Sequence, residues 1–553
     1  SSHIKVSKVF SEKAVNDAYE IPRDIILHPE KWADAEDVEL LASASYRDLY
    51  NTDPMIIELM NILDSNCNTD IGRRYGFSRI ASTAQFEEKV PVYTQDEYQS
   101  FIKLTTRIGE SKIFVNEPVS QYSFLPSETI GQENILFPHT AKSSEKYGET
   151  LDKMIGDSRV FFLFESLPKV VRYNDNTKMN SVYGIALSEY RKLLNNKSIN
   201  TNCKEDVLFP EAVQDTMATR VIYGLFDSEL ETIIAPSVWH VVNLFKDIKK
   251  LFDEKSIECS SVYQTLAVDK ERADALREIF AGEFDYGIIK KIWPKLNKIY
   301  APMGGTEEVY LDEIKRYVDL SMISGGYLID NIGIIGIPCE EGNGYYELNR
   351  KSGYYEFGDL SSDKVVSIKN VEEGYSYELI ATTYNGLIRF RTGLAIKVIS
   401  NTKDRLVFMR DYNINKNLVI DAEGKKITIT ERDVYENIKY LGKTFGFLFN
   451  DFSYFDMSIK TGDNKPCVTI VIETGESLDD STIERMSTAS KEVFCEKYDV
   501  LNKDSVEVKV VLGESESHLL FRDTARYYDD LIQDQIKPMR LLRSAKDIAF
   551  FIR

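Results

Sequence analysis

The sequence predicts an α/β protein with a large N-terminal domain of mixed β-sheets and helices and a smaller C-terminal α+β domain. Amphipathic helical patterns dominate the first half of the chain, and short β-branched segments between glycine-containing turns begin near residue 327. Helical patterns return after residue 430, and this order is typical of two such units. We place the boundary beside Met409 and Arg410, which gives predicted domains 1–409 and 410–553 joined by a short hinge.

Individual elements follow from the spacing of apolar residues. Asp53 followed by Pro54 is typical of a helix start, because the carboxylate caps the helix and proline suits the first turn. The predicted helices are 53–64, 235–252, 270–281, 308–318, 431–441 and 480–498. The predicted strands are 327–337, 377–383, 395–400, 405–412, 426–430 and 466–473.

The charge balance argues against nucleic acid and anionic membranes as partners. The chain has 88 acidic and 68 basic residues, for a formal net charge of −20. Nucleic-acid binding normally needs a concentrated basic face, and the sequence has no long Lys/Arg cluster. No apolar run reaches the roughly 18 residues that a membrane span needs. We therefore expect a soluble protein without nucleic-acid or membrane partners.

The cysteine and histidine patterns argue against structural metal sites. Six cysteines are dispersed without a C-x-x-C spacing, which favours free thiols in a reducing cytoplasm over a disulfide or zinc scaffold. The five histidines show no i, i+3 or i, i+4 pairing. Few His and Trp with abundant Asn, Lys, Ile and Tyr resemble the composition of low-GC bacterial proteins.

Three segments carry candidate binding chemistry. Loop 126–132 places hydroxyls and a glycine between extended segments, which suits a phosphate cradle or an ordinary polar turn. In segment 386–393, Arg389 and Arg391 alternate on a predicted strand and so face one side, where they suit a phosphate, a carboxylate or solvent. Tyr327 ends a flexible Ser-Gly-Gly turn and would stack on a base or pack in a core.

In their order along the chain, these segments resemble the Gretchen Hagen family of acyl-acid amide synthetases, a branch of the adenylate-forming enzymes. The resemblance runs over nearly the whole chain. It implies a large adenylate-forming domain, a small mobile C-terminal domain, ATP with Mg²⁺, and substrates that are a small carboxylic acid and an amine or amino acid. The segments that carry it are 71–76 (IGRRYG), 86–92 (FEEKVPV), 292–296 (IWPKL), 381–393 (ATTYNGLIRFRTG) and 535–540 (QIKPMR).

The resemblance also implies roles for individual residues. Lys537 and Arg391 are the implied catalytic residues, with Lys537 contacting the adenylate or phosphates. Asp330 stands beside the family's magnesium-binding glutamate position and is the implied replacement metal ligand. The implied nucleotide-binding residues are Ser127, Thr129, Gly131, Tyr327, Asp330, Asn331 and Arg389.

Three departures from the family pattern leave the function open. Glu128 puts a negative charge in the phosphate loop, Asn331 replaces the glutamate, and Leu394 replaces an aspartate that grips the ribose. Each lost charged hydrogen bond costs about 1.5–3 kcal/mol. The chain is therefore interpreted first as a divergent amide synthetase. The alternatives are an inactive homologue that binds a small molecule or an active relative, and an enzyme that uses a preactivated acyl donor.

Overall fold

A computed structural model describes most of the chain from residue 53 onward. The described residues are 53–80, 82–109, 112–125, 134–171, 176–212, 216–254, 257–340, 344–462, 464–499, 502–528 and 536–552.

The helices start where the sequence provides caps. Asp53 accepts a hydrogen bond from Met55 N at 3.0 Å, so the first helix begins at Pro54, as predicted. The other predicted helices are confirmed, except that 308–318 is a short 3₁₀ turn (Gly305–Tyr310) leading into one turn of α-helix. The helices are α1 (Pro54–Ser65), α2 (Asp70–Tyr75), α3 (Thr83–Lys89), α4 (Gln95–Ile108), α5 (Ala141–Ile155), α6 (Val182–Leu193), α7 (Glu205–Leu208), α8 (Thr216–Leu225), α9 (Val238–Glu254), α10 (Ser261–Leu266), α11 (Lys270–Ala281), α12 (Ile288–Ile292), α13 (Leu311–Ile314), α14 (Glu431–Phe445), α15 (Ser458–Thr461), α16 (Asp480–Lys497), α17 (Ser517–Tyr528) and α18 (Ala545–Phe551).

The strands confirm the β-branched segments of the sequence. Predicted strand 327–337 is a hairpin of two strands, because a turn at Asn331 and Ile332 divides it. The strands are β1 (Val119–Leu125), β2 (Ile135–Thr140), β3 (Val160–Phe162), β4 (Lys169–Val170), β5 (Lys178–Asn180), β6 (Thr232–Ile234), β7 (Lys298–Tyr300), β8 (Ile323–Ser324), β9 (Leu328–Asp330), β10 (Gly333–Pro338), β11 (Tyr345–Leu348), β12 (Gly353–Asp359), β13 (Val365–Val366), β14 (Ser376–Thr383), β15 (Phe390–Asn401), β16 (Leu406–Asn413), β17 (Leu418–Ala422), β18 (Lys425–Ile429), β19 (Asp451–Asp456), β20 (Cys467–Glu473) and β21 (Glu507–Leu512).

The described strands form five sheets. Two sheets have four strands each, ordered β2-β1-β5-β4 and β3-β6-β7-β8, and the second of these is parallel throughout. The largest sheet is antiparallel, in the order β13-β12-β14-β15-β16-β11-β10-β9. The C-terminal part contains the hairpin β17-β18 and the sheet β19-β20-β21. This architecture is the predicted one, a mixed α/β part followed by a smaller α+β part.

One hydrophobic core runs through both parts of the chain. Trp239 and Trp293 of the N-terminal helices belong to the same buried cluster as Phe452 and Ile470 of the C-terminal sheet. Met409 and Arg410, the predicted boundary, lie inside β16, which pairs with β15 as far as Asn413. Among the described residues, no helix has the length and apolar character that crossing a bilayer requires.

Candidate functional site

A charged cluster lies where β9, β16 and the Gly305–Tyr310 turn approach one another. It consists of Glu307 in that turn, Asp330 at the end of β9 and Arg410 on β16. Solvent reaches all three side chains in part. Arg410 interacts electrostatically with both carboxylates and with the phenols of Tyr183 and Tyr346. Two carboxylates and one guanidinium thus interact electrostatically at a partly solvent-accessible position.

The pKa shifts of Asp330 and Arg410 reflect both burial and the interaction of their charges. Burial raises the pKa of Asp330, and the charges of Arg410 and Lys537 partly oppose that rise. Burial alone would lower the pKa of Arg410, but Glu307 and Asp330 outweigh it and raise that pKa. Arg410 therefore stays charged, and it holds Asp330 closer to its ionised form.

Two buried acceptor atoms beside this cluster have no hydrogen-bond partner among the described residues. They are Oε2 of Glu307 and Oδ1 of Asn331. A buried acceptor without a partner costs free energy, so each is suited to a ligand that brings a hydrogen-bond donor or a cation. Mg²⁺ takes oxygen ligands and usually one or two carboxylates beside substrate phosphates. The oxygens of Glu307 and Asp330 fit that role. The described residues contain no set of three or more His, Cys, Asp or Glu side chains arranged as a metal cage.

Paired glycines press the backbone against β16 and so place Glu307. Gly304 and Gly305 have φ of 111° and 66°, where glycine is favoured. A Cβ would lie 3.2 Å from Arg410 O at Gly304 and 3.0 Å from Asp411 O at Gly305. Glycine is needed at both positions because the two backbones nearly touch.

The Ser-Gly-Gly turn before Tyr327 is also close-packed, although the sequence indicated a flexible turn. Gly326 has a φ of 59°, and a Cβ there would lie 2.9 Å from the ring of Tyr300. A Cβ at Gly325 would clash with the hydroxyl of Tyr346. Tyr327 itself is half-buried against an aromatic cluster that includes Phe164.

Arg389 has a structural role. It does not share one face of a strand with Arg391, so that prediction was wrong. It lies before β15 with a φ of 43°, so strand alternation does not reach it. Its Nε and Nη2 donate to Glu356 at 2.9 and 2.7 Å, and Nη1 donates to the carbonyls of Glu87 and Val90. Burial raises the pKa of Glu356, while Arg389 opposes that rise. Four of its five N–H groups are thus used within the fold, and only one N–H of Nη2 remains.

Arg391 also pairs with a carboxylate, in a more open setting. Its Nη1 donates to Glu378 Oε2 on the neighbouring strand β14. The Arg391 side chain is 28% exposed and that of Glu378 is 8% exposed. Leu394, at the position implied for ribose, is half-buried and packs against the core of the large sheet.

Lys537 comes close to the charged cluster from the C-terminal part of the chain. It is exposed between the buried residues Ile536 and Pro538. Its charge lies close enough to lower the pKa of Asp330. Lys537 thus lies within electrostatic range of Asp330, which precedes Asn331 in the chain. Ser127, Glu128, Thr129 and Gly131 lie outside the described residues.

A buried serine–histidine pair supports the strands that flank the undescribed loop. Ser123 Oγ lies 2.6 Å from His139 Nε2, and Asn385 Nδ2 lies 3.3 Å from His139 Nδ1. Burial lowers the pKa of His139 to about 3. Ser123 and His139 are fully buried and Asn385 is 3% exposed, so no substrate reaches them. This arrangement is a packed polar core and not a nucleophilic site.

Comparison with known families decides the assignment. The model of the GH3 family N-terminal domain matches residues 58–322, and that of the GH3 family central domain matches residues 346–409. Together they cover more than half of the sequence. The chain belongs to the GH3 family. This confirms the resemblance to the Gretchen Hagen enzymes.

Similar GH3 proteins are distant in sequence. Jasmonoyl–L-amino acid synthetase JAR4 of Nicotiana attenuata is 23% identical over 418 residues, which is 66% of this chain and 70% of that protein. Indole-3-acetic acid-amido synthetase GH3.4 of Arabidopsis thaliana is 25% identical over 404 residues, or 64% and 66% of the two chains. A solved structure of the GH3.15 acyl acid amido synthetase shares the fold with a TM-score of 0.72 at 16% identity, covering 92% of this chain and 95% of the other.

Sequence reasoning missed two members of the charged cluster in this GH3 protein. Arg410 entered only as a marker of the domain boundary, and Glu307 was not singled out. The available signal was the Gly304-Gly305 pair directly after a strand-like segment and directly before a hydroxyl and a carboxylate. Paired glycines in that context indicate a close backbone approach, which often accompanies a binding site.

Proposed function

We propose that this GH3 protein is a divergent ATP-dependent acyl-acid amide synthetase. The observation that supports the proposal best is that Lys537, from the C-terminal part, lies within electrostatic range of Asp330 and lowers the pKa of that carboxyl. The names of its relatives support the reaction class, since they are amido synthetases of jasmonate and indole-3-acetate. The acid and amine of this chain are not fixed by those names, because identity is only 23–25%.

The proposed reaction has two steps. The carboxylate of the acid attacks the α-phosphate of ATP, which forms an acyl-adenylate and releases pyrophosphate. The amine then attacks the acyl carbon, which forms the amide and releases AMP. Mg²⁺ supplies neutralisation of phosphate charge in such reactions.

The chain's own residues divide these tasks. Glu307 and Asp330 would supply carboxylate oxygens to hold Mg²⁺, and Asn331 Oδ1 would be a further acceptor. Arg410 and Lys537 supply positive charge near those oxygens. Tyr327 retains its proposed role against adenine. Ser127, Thr129 and Gly131 retain theirs at phosphate, and Arg391 is retained as a second catalytic cation. Arg389 acts indirectly, because its donors hold Glu356 and two carbonyls.

An aromatic cluster beside the charged cluster belongs to the buried core. Tyr183 belongs to this cluster and also interacts with Arg410. Phe162, Phe164 and Tyr223 are other members, and Tyr223 lies on α8 within segment 221–226. Because these rings are buried, we expect them to support the charged cluster from the core.

The proposal keeps the predicted units 1–409 and 410–553 as the large and small domains. The GH3 central-domain match ends at residue 409, which supports a division there. We also keep the expectation of a reducing cytoplasm, with which the unbridged thiols of Cys67, Cys203, Cys467 and Cys495 agree.

The test is acid-dependent exchange of pyrophosphate into ATP, together with calorimetric ATP binding at millimolar nucleotide with Mg²⁺. Lys537→Ala should lower exchange at least tenfold. Lys443→Ala, an exposed lysine of α14 in the same unit, is the matched control and should leave it unchanged. Absence of ATP binding in the folded wild-type chain would contradict the synthetase proposal.

That outcome would favour the second candidate, an inactive homologue that binds a small molecule or an active GH3 partner. The observation that favours it is that two residues at implied nucleotide positions serve the fold. Arg389 is bonded to Glu356, and Leu394 packs against the core of the large sheet. Binding of an acid without nucleotide would then be measured in the same calorimeter.

A further inference from the structure

Lys537 is held by a short segment that extends the C-terminal sheet. Arg540 O accepts a hydrogen bond from Tyr454 N at 2.7 Å, and Leu542 N donates to Tyr454 O at 3.0 Å. These two bonds fix residues 540–542 along the edge of β19. Lys537 is three residues from Arg540, with Ile536 buried on its other side. The position of Arg540 therefore limits where the lysine can lie.

Arg540 is the hub of a buried polar network. It is 2% exposed, and its Nη1 donates to Asp451 Oδ1 and to Phe452 O. Its Nε lies 3.4 Å from Glu431 Oε1, and its guanidinium covers the ring of Phe452 at 4.1 Å. Burial would lower the pKa of Arg540, but Tyr310, Asp451 and Glu431 raise it well above its usual value. The hub is permanently charged.

The Gly305–Tyr310 turn of the large part completes this network. The Tyr310 hydroxyl accepts from Arg540 Nη2 at 2.8 Å and lies 3.0 Å from both carboxylate oxygens of Asp451, to which it donates. Thr306 Oγ1 donates to Glu431 Oε1 at 2.5 Å. Two hydroxyls of one turn thus dock the small part.

The same turn carries Glu307, which lies in the charged cluster between those two hydroxyl residues. Its neighbour Glu308 faces Arg432 of α14 at 3.8 Å. One six-residue turn therefore contacts both the proposed reaction centre and the C-terminal part. A shift of the turn would change both contacts together.

We propose that Thr306, Tyr310, Glu431, Asp451 and Arg540 form a docking latch whose members are positioning residues for Lys537. The latch sets the approach of the C-terminal part, and so the place of the lysine amine relative to Asp330. Its kinetic consequence rests on the proposed function. Its structural consequence, the ordering of segment 536–542, does not.

The test removes one hydroxyl from each of two buried tyrosines. Tyr310→Phe deletes the shared hydroxyl of the latch. Tyr93→Phe is the matched control. Among the described residues, the Tyr93 hydroxyl donates only to Tyr75 OH, at 3.0 Å, and this bond lies within the N-terminal part. Hydrogen–deuterium exchange of peptides covering 305–311 and 536–544 should rise about tenfold in Tyr310→Phe and stay unchanged in Tyr93→Phe.

Kinetics then separate positioning from folding. Tyr310→Phe should lower kcat for pyrophosphate exchange about tenfold with KM for the acid unchanged. Arg540→Lys keeps the positive charge but loses the two-pronged guanidinium, so kcat should fall further than in Tyr310→Phe. Unchanged hydrogen exchange in Tyr310→Phe would overturn the latch. Raised hydrogen exchange in a chain whose wild type shows no pyrophosphate exchange would keep the latch and reject the synthetase proposal.

Discussion

Two arginine–carboxylate groups of this GH3 protein differ in how completely their hydrogen bonds are used. Arg389 faces Glu356 with two bonds and gives its third nitrogen to backbone carbonyls. Arg410 faces two carboxylates, and one of them keeps a buried oxygen without a partner among the described residues. The first group is closed and structural. The second is open and suited to a ligand, although only the first lies in the motif that the sequence highlights.

Removing one partner of the closed Arg389–Glu356 group should lower the free energy of unfolding more than any other change proposed here. Arg389→Ala leaves Glu356, whose side chain is 1% exposed, as an uncompensated buried charge. We expect the free energy of unfolding to fall by about 3–5 kcal/mol, measured by urea denaturation. The double variant Arg389→Met, Glu356→Leu should recover most of that loss, because it removes both charges. A loss below about 1 kcal/mol in the single variant would show that the pair is not structural.

Breaking the open group should act on binding and hardly on stability. Arg410→Gln removes the cation between Glu307 and Asp330, and solvent still reaches the site. We expect ATP affinity with Mg²⁺ to fall about ten- to a hundredfold by calorimetry, the cost of one charged hydrogen-bond partner. Arg316→Gln, an exposed arginine before β8, is the control and should bind normally. A large stability loss with unchanged binding would reverse the assignment of the two groups.

A third buried group, His139, has no charged partner within the described part of the chain, so it extends the comparison to the pH dependence of stability. Its pKa is about 3 in the folded protein, whereas an unfolded histidine titrates near about 6.5. Below a pH of about 6.5, His139 becomes protonated in the unfolded chain, whereas in the folded chain it stays neutral until the pH nears about 3. Stability should therefore fall by about 1.4 kcal/mol for each pH unit in that interval.

His139→Gln should remove this slope, since glutamine does not titrate. The measurement is the free energy of unfolding of both proteins at pH 6.5 and 5.0. Carboxylates titrate in the wild type and the variant alike, so their contribution cancels in the difference. Parallel curves for the two proteins would contradict the assignment of a neutral buried His139.

Local patterns predicted the fold well and the site only in part. Apolar spacing and the Asp53-Pro54 start predicted α1, and the β-branched segments predicted the large sheet. The role of Arg389 was not predictable, because its partner Glu356 is 33 residues away and only sheet pairing brings them together. Glu307 and Arg410 are 103 positions apart, so their interaction was not predictable either. The close approach of Gly304 and Gly305 to β16 is a tertiary contact, and no periodic pattern in the sequence predicts it.

Arg391 gives the smallest expected effect on stability and the sharpest question about function. Its side chain is 28% exposed, and Glu378 keeps a hydrogen bond from Gly393 N at 3.2 Å when the arginine is lost. Arg391→Ala should therefore cost no more than about 1 kcal/mol of unfolding free energy, and less in high salt. If Arg391 also neutralises phosphate, the variant should lose pyrophosphate exchange at least tenfold while staying folded. Equal exchange in the wild type and the variant would assign Arg391 to the closed, structural class with Arg389 and leave Arg410 and Lys537 as the working cations.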